Sequence, residues 1–348
     1  MYEQTESSAT AALTASTSEA LSTETINEII QLTAGGSDNT VVFDTVAPNS
    51  SGVVTANPDT EVLFVNTSNI FFSNVTVGGD TEVIIFQGAG GVNANIGTGN
   101  TTVSSAYGET DRVVIGTASA DMITFNDSLN SNVTIGGGDT VVAGGGNDTI
   151  TAGFGNSTVV GGSGFEVIKL GGDADDYGVT IVGGRAIVTN IASGFATDID
   201  GVQFIQLANG ETIVLAQNAL EASVTTLYEA TFGRTADADG LGYWFDLARD
   251  GVSLNVIAQG FVSSAEYQST FGNQSNTDFV TNLYLNTFGR AGSSAEIAGW
   301  TTQLNAGTVV RSDVLAEFAE TAGNNIAGIE STELNVVGTV IIVPGIFG

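Results

Sequence analysis

Carboxylate side chains recur at a fixed interval in the middle of the sequence. When the chain is divided into nines from residue 116, Asp121, Asp139, Asp148 and Glu166 all fall at the sixth position of their units. Carboxylate oxygens are hard ligands of the kind that calcium takes. The chain contains no Cys and no His, which excludes thiol catalysis, cysteine-ligated zinc and imidazole bases. An acidic set without Cys or His favours cations as its partners.

A nine-residue repeat carries these acids. The units that keep the pattern are GTASADMIT (116–124), TIGGGDTVV (134–142), AGGGNDTIT (143–151), AGFGNSTVV (152–160) and GGSGFEVIK (161–169). Their eighth position is always apolar: Ile123, Val141, Ile150, Val159 and Ile168. Two departures stand out, since Ser157 replaces the acid in its unit and the unit 125–133 has Asn130 and Asn132 at positions six and eight.

The repeat resembles the RTX nonapeptide family, whose unit is G-G-x-G-x-D-x-U-x, with U a large apolar residue. Three consecutive units (143–169) and two more in frame carry the resemblance. It implies a parallel β-roll in which about six residues of each unit turn and about three form a strand. Two units complete one coil, so units 18 residues apart would stack at about 4.8 Å, with the eighth position in the core.

The resemblance also implies two rows of stacked sixth positions. The rows would be Asp121, Asp139 and Ser157 along one edge, and Asn130, Asp148 and Glu166 along the other. Carboxylates stacked about 5 Å apart repel each other by roughly 1–3 kcal/mol per pair. A calcium ion between successive turns would reverse that sign, and we expect one between Asp121 and Asp139 and another between Asp148 and Glu166.

Carbonyl oxygens of the turn glycines would complete the calcium sites. The glycines expected to contribute are Gly137, Gly144, Gly146, Gly162 and Gly164. The alternative is a calcium-free stack in which the edge Asp and Asn residues cap turns through bonds from side chain to backbone.

Composition limits the class of protein and its partners. Acids outnumber Lys and Arg by 38 to 7, for a net charge of −31, so nucleic acid is excluded as a partner and anionic lipid surfaces repel the chain. Hydrophobic residues make up 42% of the chain, enough for an apolar core. The sequence has no run of 18 apolar residues, so no transmembrane helix is expected.

Four regions are predicted. They are an N-terminal arm with a capping helix (1–36), a parallel β-solenoid with RTX-like repeats (37–217), a helical domain (218–325) and an apolar strand or tail (326–348). The expected fold class is mostly β, a parallel β-solenoid (β-roll) followed by a small all-α domain. The helix, within residues 23–36, would cap the unpaired strand edges at the end of the solenoid.

The helical domain contains a second repeat, with a period of 56 residues. LYEATFGR (227–234) matches LYLNTFGR (283–290) at six of eight positions, and Trp244 and Trp300 share the same offset. This resembles a helical module of unassigned role found beside RTX repeats in bacterial secreted and surface-layer proteins, and is similar to phycobilisome linker domains. Its aromatic residues favour a small core over a carbohydrate platform.

Two features bear on export and assembly. The N-terminus lacks the basic and apolar blocks of a signal peptide, whereas RTX proteins generally leave by type I secretion through an uncleaved C-terminal signal. We therefore expect an extracellular or cell-surface protein exported without an N-terminal signal; a cytosolic or trimmed chain is the alternative. The uncharged run Val336 to Val343 would pack on its own subunit, join a neighbouring subunit or serve as the secretion signal.

The sequence favours one of three functions. The favoured one is a calcium-stabilised structural protein that self-assembles into a surface layer, filament or extracellular matrix. Its partners would be copies of itself, with cell-surface polysaccharide as a second partner. The alternatives are a secreted carbohydrate-binding or adhesin module and a polysaccharide-modifying enzyme. No enzymatic activity is expected, because the bases of the β region (Arg112, Lys169 and Arg185) are scattered and no acid pair stands outside the repeat turns.

Overall fold

The computed structural model of the chain describes residues 1–16, 21–34, 40–67, 72–78, 81–98, 109–333 and 341–344. The chain forms two compact units. Unit 1 comprises Met1–Thr180, Arg185–Val202 and Gln206–Asn209. Unit 2 comprises Ile181–Gly184, Gln203–Ile205 and Gly210–Gly348.

Strands occupy segments rich in Val, Ile, Thr and Phe, whose β-branched or aromatic side chains suit a pleated surface. They are β1 Tyr2–Thr5, β2 Thr40–Val46, β3 Val53–Val54, β4 Val62–Asn66, β5 Ser73–Gly78, β6 Val83–Gln87, β7 Val92–Thr98, β8 Arg112–Ile115, β9 Met122–Phe125, β10 Ser131–Ile135, β11 Thr140–Val142, β12 Thr149–Ala152, β13 Ser157–Val160, β14 Val167–Leu170, β15 Tyr177–Val182, β16 Arg185–Asn190, β17 Ala196–Asp200, β18 Phe204–Leu207, β19 Thr212–Ala216 and β20 Ile341–Pro344.

Helices lie in both units. They are α1 Glu6–Ser16, α2 Thr23–Thr33, α3 Ala219–Phe232, α4 Ala238–Arg249, α5 Leu254–Ser263, α6 Ala265–Phe271, α7 Asn276–Phe288, α8 Ser294–Ala306 and α9 Arg311–Glu333, with one 3-10 helix at Ala174–Asp176.

The strands form two mixed sheets of eleven and nine strands. In unit 1, sheet 1 has the order β1-β2-β4-β6-β8-β10-β12-β14-β18, and sheet 2 has the order β15-β16-β17-β13-β11-β9-β7-β5-β3. From β4 to β14, successive strands along the chain alternate between the two sheets, and neighbours within a sheet are parallel.

The repeat sets the register of these strands. In sheet 2, Val141 pairs with Ile123 on one side and with Val159 on the other. In sheet 1, Ile150 pairs with Ile168. All five eighth-position side chains are completely buried, which confirms both the 18-residue pairing and the core position expected from the repeat.

The predicted fold class is nevertheless wrong. The chain is not a mostly β parallel solenoid followed by an all-α domain, because both sheets are mixed and helices occur in both units. Antiparallel pairs join β1 to β2, β16 to β17, and β19 to β20. The nonapeptide signal covers only 116–169, and it predicts none of the antiparallel pairs that lie outside that range.

Helices α1 and α2 form a third layer of unit 1. Their apolar side chains pack against outward-facing residues of β2, β4, β6 and β8, with Leu13, Ile29, Phe43 and Ile85 at the centre. The Ser22 side chain caps α2 by accepting a hydrogen bond from the Thr25 N–H. The helix predicted within 23–36 thus begins at Thr23 and covers the face of sheet 1, while residues 35 and 36 lie outside the described residues.

Unit 2 repeats one helical motif twice. Helices α3 and α7 both end at a glycine in the left-handed conformation, Gly233 and Gly289. Tyr228 meets Phe261 edge-to-face at 4.9 Å between ring centroids, and in the second copy Tyr284 meets Phe318 in the same way at 4.9 Å. These contacts confirm the prediction that the aromatic residues of the repeat build small cores.

The described part of the apolar C-terminal run pairs within its own chain. Strand β20 runs antiparallel to β19, with Ile342 opposite Leu215 and Val343 opposite Val214. Residues 336–340 lie outside the described residues. The pairing satisfies one edge of β20 inside unit 2, so this segment already has a partner in its own subunit.

Candidate functional site

The turns of unit 1 stack in two rows. Row 1 consists of the turns that precede β9, β11 and β13, and row 2 of those that precede β10, β12 and β14. The strand registers place Asp121, Asp139 and Ser157 in row 1, and Asn130, Asp148 and Glu166 in row 2. These are the two rows expected from the sequence.

The aspartates reach towards the N-terminal side of the stack. Asp121 Oδ1 accepts the Val92 N–H at 2.8 Å, Asp139 Oδ1 accepts the Asp121 N–H at 2.6 Å, and Asp148 Oδ1 accepts the Ser131 N–H at 2.7 Å. Each donor lies at the start of the neighbouring strand in the same sheet: Val92 begins β7, Asp121 directly precedes β9 and Ser131 begins β10. The carboxylates therefore join adjacent turns by bonds to backbone, as in the calcium-free alternative.

Asparagine side chains bond in the opposite direction, towards the C-terminal side of the stack. Asn130 Oδ1 accepts the Asn147 N–H at 2.8 Å, and Asn147 Oδ1 accepts the Phe165 N–H at 2.8 Å. Asn147 was not among the predicted site residues. Its signal was the pair Asn147-Asp148 before a strand, because side chains of both types bond readily to nearby backbone.

The carboxylate of Asp121 is well supplied with donors. Besides the Val92 N–H, it accepts the Thr117 N–H at 2.6 Å and the Thr117 hydroxyl at 2.8 Å. Burial raises the pKa of Asp121, and these bonds oppose the shift. A cation between Asp121 and Asp139 would have to displace donors that already hold the turn.

The carboxylate of Asp148 is less well supplied. Its side chain is buried, with 1% of the residue exposed, and Oδ2 accepts no hydrogen bond. Burial raises the pKa of Asp148 to about 7, although bonds from Ser131 and the positive charge of Arg112 oppose the shift. Glu166, the next residue in row 2, is also completely buried. Row 2 therefore presents buried carboxylate oxygen that a hard cation would stabilise.

A buried ion pair lies beside Asp148. The Arg112 guanidinium donates to both oxygens of Asp127, at 2.7 Å and 3.2 Å. The two side chains are 0% and 1% exposed. The sequence shows Arg112 as one of the scattered bases of the β region but does not predict its partner. An arginine at the start of the apolar run RVVI was the signal, since a charge in such a strand needs a buried counter-ion.

The turn glycines allow neighbouring turns to touch. A Cβ on Gly162 would overlap the carbonyl oxygen of Gly144, one on Gly164 that of Gly146, and one on Gly137 that of Phe154. The Gly144 oxygen also accepts the Ser163 N–H at 3.3 Å. The glycines expected to supply calcium carbonyls thus have a close-packing role that depends on no ion.

Replacing Gly162 with Ala should lower the free energy of unfolding by about 1–3 kcal/mol, because the new methyl group must push two turns apart. Urea denaturation in chelator measures the effect without calcium. The control is Gly178→Ala, where a Cβ meets no atom within 4 Å. Equal midpoints for the two variants would contradict the close-packing role.

The carboxylates of row 2 supply only some of the oxygen ligands that a calcium ion takes. Among the described residues, no group of three or more Asp or Glu side chains could hold a metal ion. An ion in row 2 would therefore draw on Asp148, Glu166 and backbone carbonyls together. Asp148 Oδ2 provides the clearest open oxygen for it.

A cleft of about 690 Å³ lies between α2 and sheet 1 in unit 1. Its charged side chains are Glu24, Glu28 and Lys169. Lys169 Nζ contacts Glu24 at 3.2 Å, while Glu28 accepts the Thr110 hydroxyl at 2.6 Å and the Asn132 amide. These groups tie the helix to the sheet.

The basic residues all have partners within the chain. Six of the seven form ion pairs: Arg112–Asp127, Lys169–Glu24, Arg185–Asp198, Arg234–Glu266, Arg249–Glu221 and Arg290–Glu296. Arg311 donates to the Gln274 carbonyl and the Asn276 side chain. Arg234 and Arg290, which occupy the same position in the two copies of the helical repeat, therefore each have a carboxylate partner.

Comparison with known proteins adds one match. Residues 216–271 and 258–326 match a family described as a domain of unknown function (DUF4214). The two ranges contain the first and second copies of the helical repeat. No curated protein and no solved structure matches the chain. Within the described residues, no helix has both the length and the apolar character needed to cross a membrane. The similarity to a known family is therefore confined to the helical part of the chain.

Proposed function

We propose that this chain is a secreted structural protein, stabilised by calcium, that self-assembles into a surface layer, filament or extracellular matrix. The supporting observation is the use made of its reactive side chains. The carboxylates of Asp121, Asp139 and Asp148 bond to the backbone of neighbouring turns, and the basic residues are paired. Groups that an enzyme would use for chemistry instead hold the fold together.

Row 2 supports the calcium part of the proposal. Asp148 Oδ2 is buried without a hydrogen bond, and the row continues to the buried Glu166. Ionised carboxylates in such a place are unfavourable alone. Calcium, when bound there, supplies positive charge between two turns; Asp148 and Glu166 would hold it together with carbonyl oxygens of the turn.

An exposed sheet edge supports the assembly part. Strand β1 is the first strand in the order of sheet 1, and its partner is β2. An edge strand presents backbone N–H and C=O groups that can pair with another chain. The net charge of −31 opposes such contact, so cations that reduce it should promote assembly.

Ordered polymers or arrays are expected to form in millimolar calcium and to disperse in chelator. Negative-stain microscopy and sedimentation of the full chain measure both states. The control replaces calcium with sodium chloride at the same ionic strength, which screens charge without bridging carboxylates. A chain that stays monomeric at high protein concentration in calcium would overturn the assembly proposal.

A further inference from the structure

A second, smaller cleft of about 170 Å³ lies in unit 1. It is bordered by the turn between β12 and β13 and by the hairpin of β16 and β17. Three aromatic side chains line it, Phe154, Tyr177 and Phe195, and none of its lining residues is Asp, Glu, Lys or Arg. A neutral aromatic cleft is unusual for a surface as acidic as this one.

The aromatic side chains are displayed rather than buried. Phe154 is 77% exposed and Phe195 is 45% exposed. Single exposed apolar residues are common on proteins, but these two share one cleft with Tyr177. Exposed apolar surface concentrated in a concave site marks a place for a ligand.

The walls of the cleft are fixed in place. The Tyr177 hydroxyl donates to the Gly171 carbonyl at 2.6 Å. In the hairpin turn, Asn190 Oδ1 accepts the N–H and the hydroxyl of Ser193, both at 2.9 Å, and the Ala196 N–H bonds to Asn156 Oδ1 at 2.9 Å. A ligand would therefore meet a site that needs little reordering.

The same bonds limit the kind of ligand that fits. The Tyr177 hydroxyl and the amide oxygens of Asn156 and Asn190 are engaged within the protein. A sugar needs several directional hydrogen bonds to replace those that it makes with water, and the Tyr177 hydroxyl proton and these two amide oxygens are already used within the protein. The exposed aromatic rings are therefore the main surface that the cleft offers to a ligand.

The surrounding charge favours a cation. Asp173, Asp175 and Asp176 directly precede Tyr177, and the Asp176 carbonyl accepts the Ile191 N–H at 2.8 Å, which ties this acidic segment to the hairpin. Aromatic rings attract cations through their electron-rich faces. A quaternary ammonium also carries no N–H donor, so it needs no hydrogen-bond acceptor from the wall of the cleft.

We propose that the cleft formed by Phe154, Tyr177 and Phe195 binds a quaternary ammonium group. The chemistry is that of a choline headgroup or a trimethylated lysine. This binding function is separate from assembly and from calcium binding. It would allow the protein to recognise a surface or partner that carries such groups.

Titration of the full chain with choline chloride, followed by calorimetry or ligand-observed NMR, tests the proposal. The neutral carbon analogue 3,3-dimethylbutan-1-ol has the same shape and should bind at least tenfold more weakly, because it lacks the charge. Trimethyl-lysine in a parallel arm shows which source of the ammonium group binds better. Higher salt should weaken choline binding.

Phe154→Ala and Phe195→Ala should each weaken choline binding by roughly fivefold or more. Phe72→Ala is the matched control, because Phe72 is 55% exposed and is not among the residues that line this cleft; it should leave binding unchanged. Equal binding of choline and its neutral analogue would make the cleft an apolar docking site and overturn the proposal. Binding of glucose without choline would identify a glycan site and overturn it too.

Discussion

Asp148→Asn is expected to stabilise the protein at pH 8 in the absence of calcium, by an amount on the order of a few kcal/mol. The pKa of Asp148 is about 7 in the folded protein, against 3.8 for an ordinary aspartate. The folded state therefore keeps a proton that the unfolded state has lost between pH 4 and pH 7. Over that range the free energy of unfolding falls by roughly 1.4 kcal/mol per pH unit, and the loss is complete above the folded pKa. The neutral Asn removes this loss.

Calcium should reverse the comparison. A cation in row 2 binds the ionised carboxylate, so the original protein should gain stability from millimolar calcium at pH 8 and gain less at pH 5, where the proton competes. Asp148→Asn should lose most of that gain. Urea denaturation midpoints of both proteins, measured at pH 5 and pH 8 with calcium or with chelator, give each of these differences in stability.

The control for this experiment is Asp59→Asn, which removes one negative charge at an exposed position. It should change neither the pH dependence nor the calcium response. A stability of the original protein that stays flat from pH 4 to pH 8 in chelator would contradict the buried, protonated Asp148. If calcium has no effect at pH 8, the calcium part of the proposed function fails while the pH argument remains.

Arg112→Met should have the largest destabilising effect, about 3–5 kcal/mol. The substitution leaves the Asp127 carboxylate, whose side chain is 1% exposed, without the guanidinium that pairs with it. A buried charge without a partner destabilises a protein far more than the removal of both charges does. Asp148 also loses the positive charge that lowers its pKa, so the loss of stability with rising pH should extend to higher pH. Urea denaturation at pH 5 and pH 8 measures both effects.

Two further variants separate the charge effect from lost packing. The double variant Arg112→Met with Asp127→Asn should recover much of the stability, because no uncompensated charge remains. Asn at position 127 also fits the available space, because it is nearly the same size as Asp. Space is short there, since a Cβ added to Gly97 would overlap the Asp127 carboxylate. Arg185→Met breaks a half-exposed pair with Asp198 and should cost no more than about 1 kcal/mol. An Arg112→Met variant no less stable than Arg185→Met would contradict the buried pair.

The sequence predicted the parts of the fold that a period controls. The eighth positions, such as Val141 and Ile150, reach the core because the nonapeptide repeat fixes their register. It did not predict the fold class, because β1, β16 and β20 join the sheets as antiparallel strands without any repeat signal. Helix α1 was also missed, since ESSATAALTAS shows no clear apolar stripe.

The candidate site also has a part that the repeat predicts and a part that it does not. The rows of Asp121 and Asp148 follow from spacing, so their positions could be predicted. The bonds they make could not, because spacing alone does not show whether a carboxylate meets a backbone N–H or an ion. The partnership of Arg112 with Asp127 spans two strands and needs the three-dimensional register.

The Asp and Asn side chains of the turns bond in opposite directions along the stack, and this has a mechanical consequence. Aspartates hold the turn on their N-terminal side, and asparagines hold the turn on their C-terminal side. A tensile force that peels turns from either end of the stack must therefore break side-chain bonds as well as strand pairing. Neither end of the stack can therefore be opened by breaking strand pairing alone.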